Sequence, residues 1–100
     1  MAGVEVLRVS SKSNPHAVAG AVAGIIRQGS CADVQVVGAG ALNQAIKAVA
    51  IARGFVADTA IDIVCTPTFA EVAIDGEPRT ALRLLIEDRA HERRPPAETA

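Results

Sequence analysis

The chain has 100 residues, half of them hydrophobic, with two aromatics and a formal net charge of -1. That length fits one domain with a core of its own and leaves no room for a second. The near-neutral charge announces no polyanion partner through the whole-molecule field, and the absence of a run of about 18 apolar residues or of a signal-peptide pattern predicts a cytoplasmic protein without a membrane span.

The first predicted element is a short strand through Val4, Val6, Leu7 and Val9, ended by Ser10-Ser11-Lys12-Ser13-Asn14-Pro15. Asn14 suits an N-cap and Pro15 a first helical position, because the Asn oxygen accepts an orphan amide and Pro has none to lose. Val18, Val22, Ile25 and Ile26 then recur with helical spacing and Gly29 supplies a stop, which predicts helix one over about 15–28. Gly20 and Gly24, with Ala17 and Ala21, form a side-chain-poor surface on this helix, and tight packing by another backbone is the expected compensation for two helical glycines.

Val34, Val36 and Val37 predict a second strand, and Gly38-Ala39-Gly40 turns the chain into a second helix closed by Gly54. Its apolar stripe reads as Leu42, Ala45, Ile46, Val49 and Ala50, with Ala48 and Ile51 left on another face. Ile61, Ile63 and Cys65 alternate with polar residues as a third strand, which Pro67 is expected to interrupt before Val72 and Ile74 resume it. Asp75-Gly76 is a turn signal and Leu82, Leu84 and Ile86 alternate in the returning strand, so the two form a hairpin. The predicted order is β-α-β-α-β-β over 1–87. The remainder, 88–100, is charged, Pro-containing and aperiodic, and is expected to be a disordered tail.

The residues with chemical potential are few. Cys31 and Cys65 lack CxxC spacing and a secretory context, so reduced thiols are expected, with no metal pair. His16 at a helix start and His91 in the tail join no Ser, Cys or carboxylate grouping, which predicts no catalytic residue, no enzyme activity, no metal and no cofactor. Gly38 and Gly40 resemble the start of a dinucleotide fingerprint, yet position 43 is Asn and no acidic residue ends the next strand, so the glycines are read as a tight turn. The loop before helix one is richer, because Ser11, Ser13 and Asn14 gather donors around a helix N-terminus and Lys12 adds a cation, a set that suits a phosphate oxygen. An ordinary cap with one solvated Lys explains the same residues. Charge is uneven: residues 1–53 carry five cations against Glu5 and Asp33, whereas 54–87 carry six carboxylates against Arg79 and Arg83.

Three stretches carry a resemblance: Leu7-Arg-Val-Ser-Ser-Lys-Ser-Asn-Pro, the long segment from Gly38 to Val56 that reads Gly-Ala-Gly-Ala-Leu-Asn-Gln-Ala-Ile-Lys-Ala-Val-Ala-Ile-Ala-Arg-Gly-Phe-Val, and Ile74-Asp-Gly-Glu. Over residues 4 to about 87 they strongly resemble the stage V sporulation protein S family. The resemblance implies a small cytoplasmic protein linked to sporulation or, where no spores form, to the regulation of development. That family in turn looks like Alba chromatin proteins, which implies a two-layer α/β sandwich, a four-stranded mixed sheet with two helices on one face, and dimers that bind DNA or RNA.

In Alba proteins a lysine in the loop before helix one contacts nucleic acid, and Lys12 matches it. The turn before helix two, usually rich in arginine there, is Gly38-Ala39-Gly40 here and lacks the charge. On the hairpin Arg79 can reach phosphates, while Asp75 and Glu77 repel them. The expected nucleic-acid contacts are therefore Ser11, Lys12, Ser13, Asn14 and Arg79, with weak, non-specific affinity, since phosphate neutralisation supplies most of such binding. Ala48 and Ile51 off the sheet-facing stripe predict a homodimer, with Phe55 a contact between dimers. The competing class is a dimeric protein-interaction module with little nucleic-acid affinity; a small-molecule enzyme ranks below both.

Overall fold

The computed structural model describes residues 3–92. The elements run β1 (Val4–Arg8), α1 (Pro15–Arg27), β2 (Cys31–Val36), α2 (Ala39–Phe55), β3 (Ile63–Ile74), β4 (Glu77–Asp88) and the single helical turn α3 (Arg89–Glu92). The sheet order is β1-β2-β4-β3, with β1 parallel to β2 and β4 antiparallel to both its neighbours. Both long helices cover one side of it. Residues 93–100 of the expected tail and the His91 side chain lie outside the described residues.

Local chemistry accounts for the boundaries. Asn14 caps α1 from an extended backbone, its Oδ1 accepting from the amides of His16 and Ala17 at 2.8 and 3.3 Å, with Pro15 as the first helical residue. Gly29, at a φ of 83°, ends the same helix in the left-handed region. At the hairpin tip Asp75 and Gly76 have φ of 52° and 77°, two consecutive left-handed residues that make the turn whose twist matches paired strands. Ile74 and Glu77 close the ladder around it.

The core is aliphatic. Val9 in the loop after β1, Val34 and Val36 of β2, Leu84 and Ile86 of β4, and Ile63 of β3 meet Val22, Ile25 and Ile26 of α1 beneath the helices. The largest side chains of this set are fully enclosed, each burial stabilising by roughly 1.5–3 kcal/mol.

Three expectations fail in the structure. First, α2 buries Ala41, Ala45, Ala48, Val49 and Ala52, so Ala48, expected on a free face, is a core residue at 1% exposure, whereas Ile46, expected in the core, is 48% exposed. Small alanines let α2 lie close to α1 and the sheet, and that close approach pushes the larger Ile46 to the rim. Second, β3 is unbroken from Ile63 to Ile74, with Pro67 opposite Leu84 inside the ladder. Its strand is the sheet edge, where a residue without an N–H is tolerated. Third, among the described residues nothing packs on the small-residue surface of α1: a Cβ on Gly20 or Gly24 meets no atom within 4 Å. Gly54 also differs modestly, lying inside α2, which continues to Phe55.

An ion-pair cluster holds the far end of the sheet. The Asp62 carboxylate accepts from Arg89 Nε at 2.7 Å and Arg53 Nη1 at 2.9 Å, and these hydrogen bonds, that from Arg89 foremost, hold its pKa below the ordinary value. Arg53 also donates to the carbonyl of Ile63. The segment after β4 is thereby tied to α2 and to the start of β3.

Candidate nucleic-acid interface

The loop from β1 to α1 is built almost wholly from its own hydrogen bonds. The amide of Ser10 donates to Ser13 Oγ at 2.9 Å, the amide of Lys12 to Ser10 Oγ at 3.1 Å, and the amide of Ser13 to the Ser10 carbonyl at 3.1 Å. Gln44 of α2 donates to the Ser13 carbonyl at 2.9 Å and ties the turn to the second helix. With Asn14 Oδ1 occupied by the amides of His16 and Ala17, and Val18 bonded to the Asn14 carbonyl, the first turn of α1 offers no ready amide to an anion.

The expected phosphate-binding residues therefore divide. Ser13 and Asn14 spend their acceptors on shaping the loop and capping the helix. Ser11 and Lys12 are exposed, and the Lys12 ammonium has no ion-pair partner among the described residues. What the loop presents is a full charge on a braced backbone, in the field of the α1 dipole.

Arg79 lies on the hairpin directly across from Val72, exposed and without a partner among the described residues. Val72 lines the same cleft as Ser10 and Ser11, so the hairpin and the loop form two sides of one depression. The third side is the turn before α2. There Gly38, at a φ of 91°, starts the helix without a side-chain cap, and Gly40 comes so near the loop that a Cβ on it would sit 2.9 Å from the Ser11 Cβ. The glycines read in the sequence as a tight turn bring two loops into contact.

Two arginines beyond the sequence reading shape the sheet face opposite the helices. Arg8, Gln35 and Arg83 are neighbours across β1, β2 and β4. Arg83 grips Asp33 through both Nε and Nη2, the shortest contact being 2.7 Å, which covers an Asp that is only 4% exposed and raises the Arg83 pKa. Arg8 pairs with nothing among the described residues. Its register beside Gln35 is invisible in the sequence, which fixes that Arg8 ends a strand but not which residue lies across from it.

The three residues expected at a dimer interface separate as well. Ala48 is internal, Ile51 is half-buried against the core, and Phe55 is 43% exposed with its carbonyl accepting from Arg27 Nη2 at 3.0 Å. The prominent apolar surface is elsewhere: a groove of about 590 Å³ beside α2, lined by Leu42, Ile46, Pro67 and Phe69, with Phe69 81% exposed. Cys65 lines the same groove and Cys31 lies under the opposite face 3.7 Å from Glu87. Burial pushes both thiols up, with Glu87 adding to it at Cys31, so neither is an activated nucleophile. Among the described residues no His, Cys, Asp and Glu group could hold a metal, and no helix is long and apolar enough to cross a membrane.

A β-α-β-α-β-β chain with a mixed four-stranded sheet, two helices on one side and a long hairpin reaching past β2 has a mixed two-layer α/β architecture, consistent with the Alba-like class. The family model for stage V sporulation protein S matches residues 5–89. The chain belongs to that family of sporulation proteins, and the match takes in both long helices and every strand but for Val4 at the start of β1.

Proposed function

We propose that this protein is a regulatory nucleic-acid-binding protein that works as a homodimer and contacts phosphates through the loop before α1. The observation that carries the reading is Lys12: a cation without an ion-pair partner among the described residues, on a loop braced by its own serines and by Gln44, at the positive end of a helix. Arg79 on the hairpin supplies a second contact. Two such loops in a dimer hold two phosphates at once, so individually weak contacts combine. Affinity is modest, because Gly38-Ala39-Gly40 brings no cation and Asp75 and Glu77 repel phosphate at the hairpin tip.

A salt titration of binding to duplex and single-stranded probes tests this. Lys12→Ala weakens binding across unrelated sequences and shallows the slope of log affinity against log salt by about one unit for each phosphate the variant no longer neutralises, with Arg79→Ala as the hairpin comparison. If only Arg79→Ala matters, the contact belongs to the hairpin. If the wild-type protein shifts no probe at near-physiological salt, the second reading takes over: a dimeric protein-interaction module. The groove at Ile46 and Phe69 favours that reading, since it offers apolar area where the loop offers a single charge.

A further inference from the structure

We propose that the cleft outside the carboxyl ends of β1 and β2 binds a nucleoside monophosphate. It measures about 490 Å³, the size of a site for a small ligand, and three separate segments wall it: the end of β1 with its loop, the end of β2 with the turn into α2, and the hairpin. Its polar groups converge from two of these. Arg8 brings a guanidinium with no partner among the described residues, Ser11 brings a hydroxyl, Ser10 a hydroxyl whose oxygen already accepts from the Lys12 amide and which can still donate, and Gln35 beside Arg8 brings an amide. No Asp or Glu lines the cleft. On the sheet, Asp33 is two residues from Gln35 and already paired with Nε and Nη2 of Arg83, while Glu71, Asp75 and Glu77 adjoin the hairpin residues of the lining without belonging to it.

The opposite wall is apolar. Val72 and Ile74 of the hairpin and Val37 before α2 present aliphatic surface and no charge. An inorganic anion would use the polar side alone and leave that wall wet. A phosphate monoester carrying a sugar and a flat ring fills both: the phosphate on Arg8 and the serine hydroxyls, the ring against the aliphatic side chains. Guanidinium recognises the phosphate through paired N–H donors, and a cleft at the ends of parallel strands is where open α/β sheets leave room for such a ligand. The hydroxyl of Ser11 and the close contact of Ser11 with Gly40 make the loop geometry part of the site. This inference is independent of Lys12, which lies outside the cleft lining.

The test is an amide NMR titration of the full chain with adenosine 5′-monophosphate, inorganic phosphate and adenosine. Saturable shifts of Ser10, Ser11, Gln35 and Gly40 are expected with the nucleotide, and at least about tenfold weaker binding of phosphate or adenosine alone. Arg8→Gln, an exposed change that breaks no contact among the described residues, weakens nucleotide binding by about tenfold, the effect typical of removing one hydrogen-bonded charge. Lys12→Ala leaves it within about twofold, even where it weakens nucleic-acid binding. A 5′-phosphorylated trinucleotide that displaces the nucleotide identifies a strand end as the source of the ligand, and failure to displace it identifies the free nucleotide. No saturation by about 10 mM nucleotide, a margin of four powers of ten over a micromolar ligand, overturns the proposal. So does an Arg8→Gln protein that binds as well as the wild type.

Discussion

Gly40 joins two loops by what it lacks. The missing Cβ would stand 2.9 Å from the Cβ of Ser11, an atom fixed to the backbone and unable to swing aside. Gly40→Ala is therefore expected to destabilise the fold by about 1–3 kcal/mol, the usual cost of overpacking, and to lower the melting temperature by roughly 4–8 °C for each kcal/mol. Adding Ser11→Gly removes the opposing atom and restores much of the stability, and a double variant no more stable than Gly40→Ala alone would show that the strain lies elsewhere. The need for a glycine here is legible as a tight turn, but its reason is not, since the sequence does not say that Ser11 and Gly40 meet. Asn14 is fully legible, because a cap acts within three residues of itself. Ser13 and Asn14 also show how a local motif misleads: the same donors and acceptors that suit a phosphate suit the loop's own amides, and the structure uses them there.

At the scale of elements, the strands and helices follow the sequence wherever periodicity has large side chains to report it. In α1 the stripe of Val22, Ile25 and Ile26 fixes the buried face. In α2 alanine stands on every side, so hydrophobicity does not select a face, and closeness of packing does: the buried stripe is alanine at 41, 45, 48 and 52, one turn after another. Pro67 reads as a break because edge position depends on strand order, which no local pattern contains. The glycines of α1 give a test of the helix itself. Gly20 is exposed at mid-helix with no atom within 4 Å of an added Cβ, so Gly20→Ala is expected to stabilise the protein by about 0.5–1 kcal/mol through the reduced freedom of the unfolded chain. Thermal unfolding reads the change as a rise of a few degrees. A variant that unfolds earlier instead would mean that a backbone from another molecule lies against the stripe.

At the scale of the molecule, the question is what covers the groove beside α2. The chain's own core is complete without it: Ile63, Leu84 and Ile86 are enclosed beneath the helices, and Ala48, which the sequence suggests for a partner, belongs to that interior. Phe69 does not. It lies in register with Leu82 and lines the groove shared with Leu42 and Ile46 of α2, and with Phe69 81% and Ile46 48% exposed both side chains stand largely in water. A second copy offering the same surface about a twofold axis would bury both patches at once, each large side chain stabilising the pair by roughly 1.5–3 kcal/mol when fully covered. We propose that the dimer forms at Ile46 and Phe69 rather than at Ala48, Ile51 and Phe55. Light scattering at tens of micromolar should give twice the chain mass of 10.3 kDa. Phe69→Glu and Ile46→Glu, exposed positions whose change leaves the core intact, should return the mass to that of one chain, while Val6→Glu on the open sheet face leaves the dimer unchanged. A wild-type protein of single-chain mass would remove the dimer and, with it, the paired Lys12 loops on which cooperative phosphate contact depends.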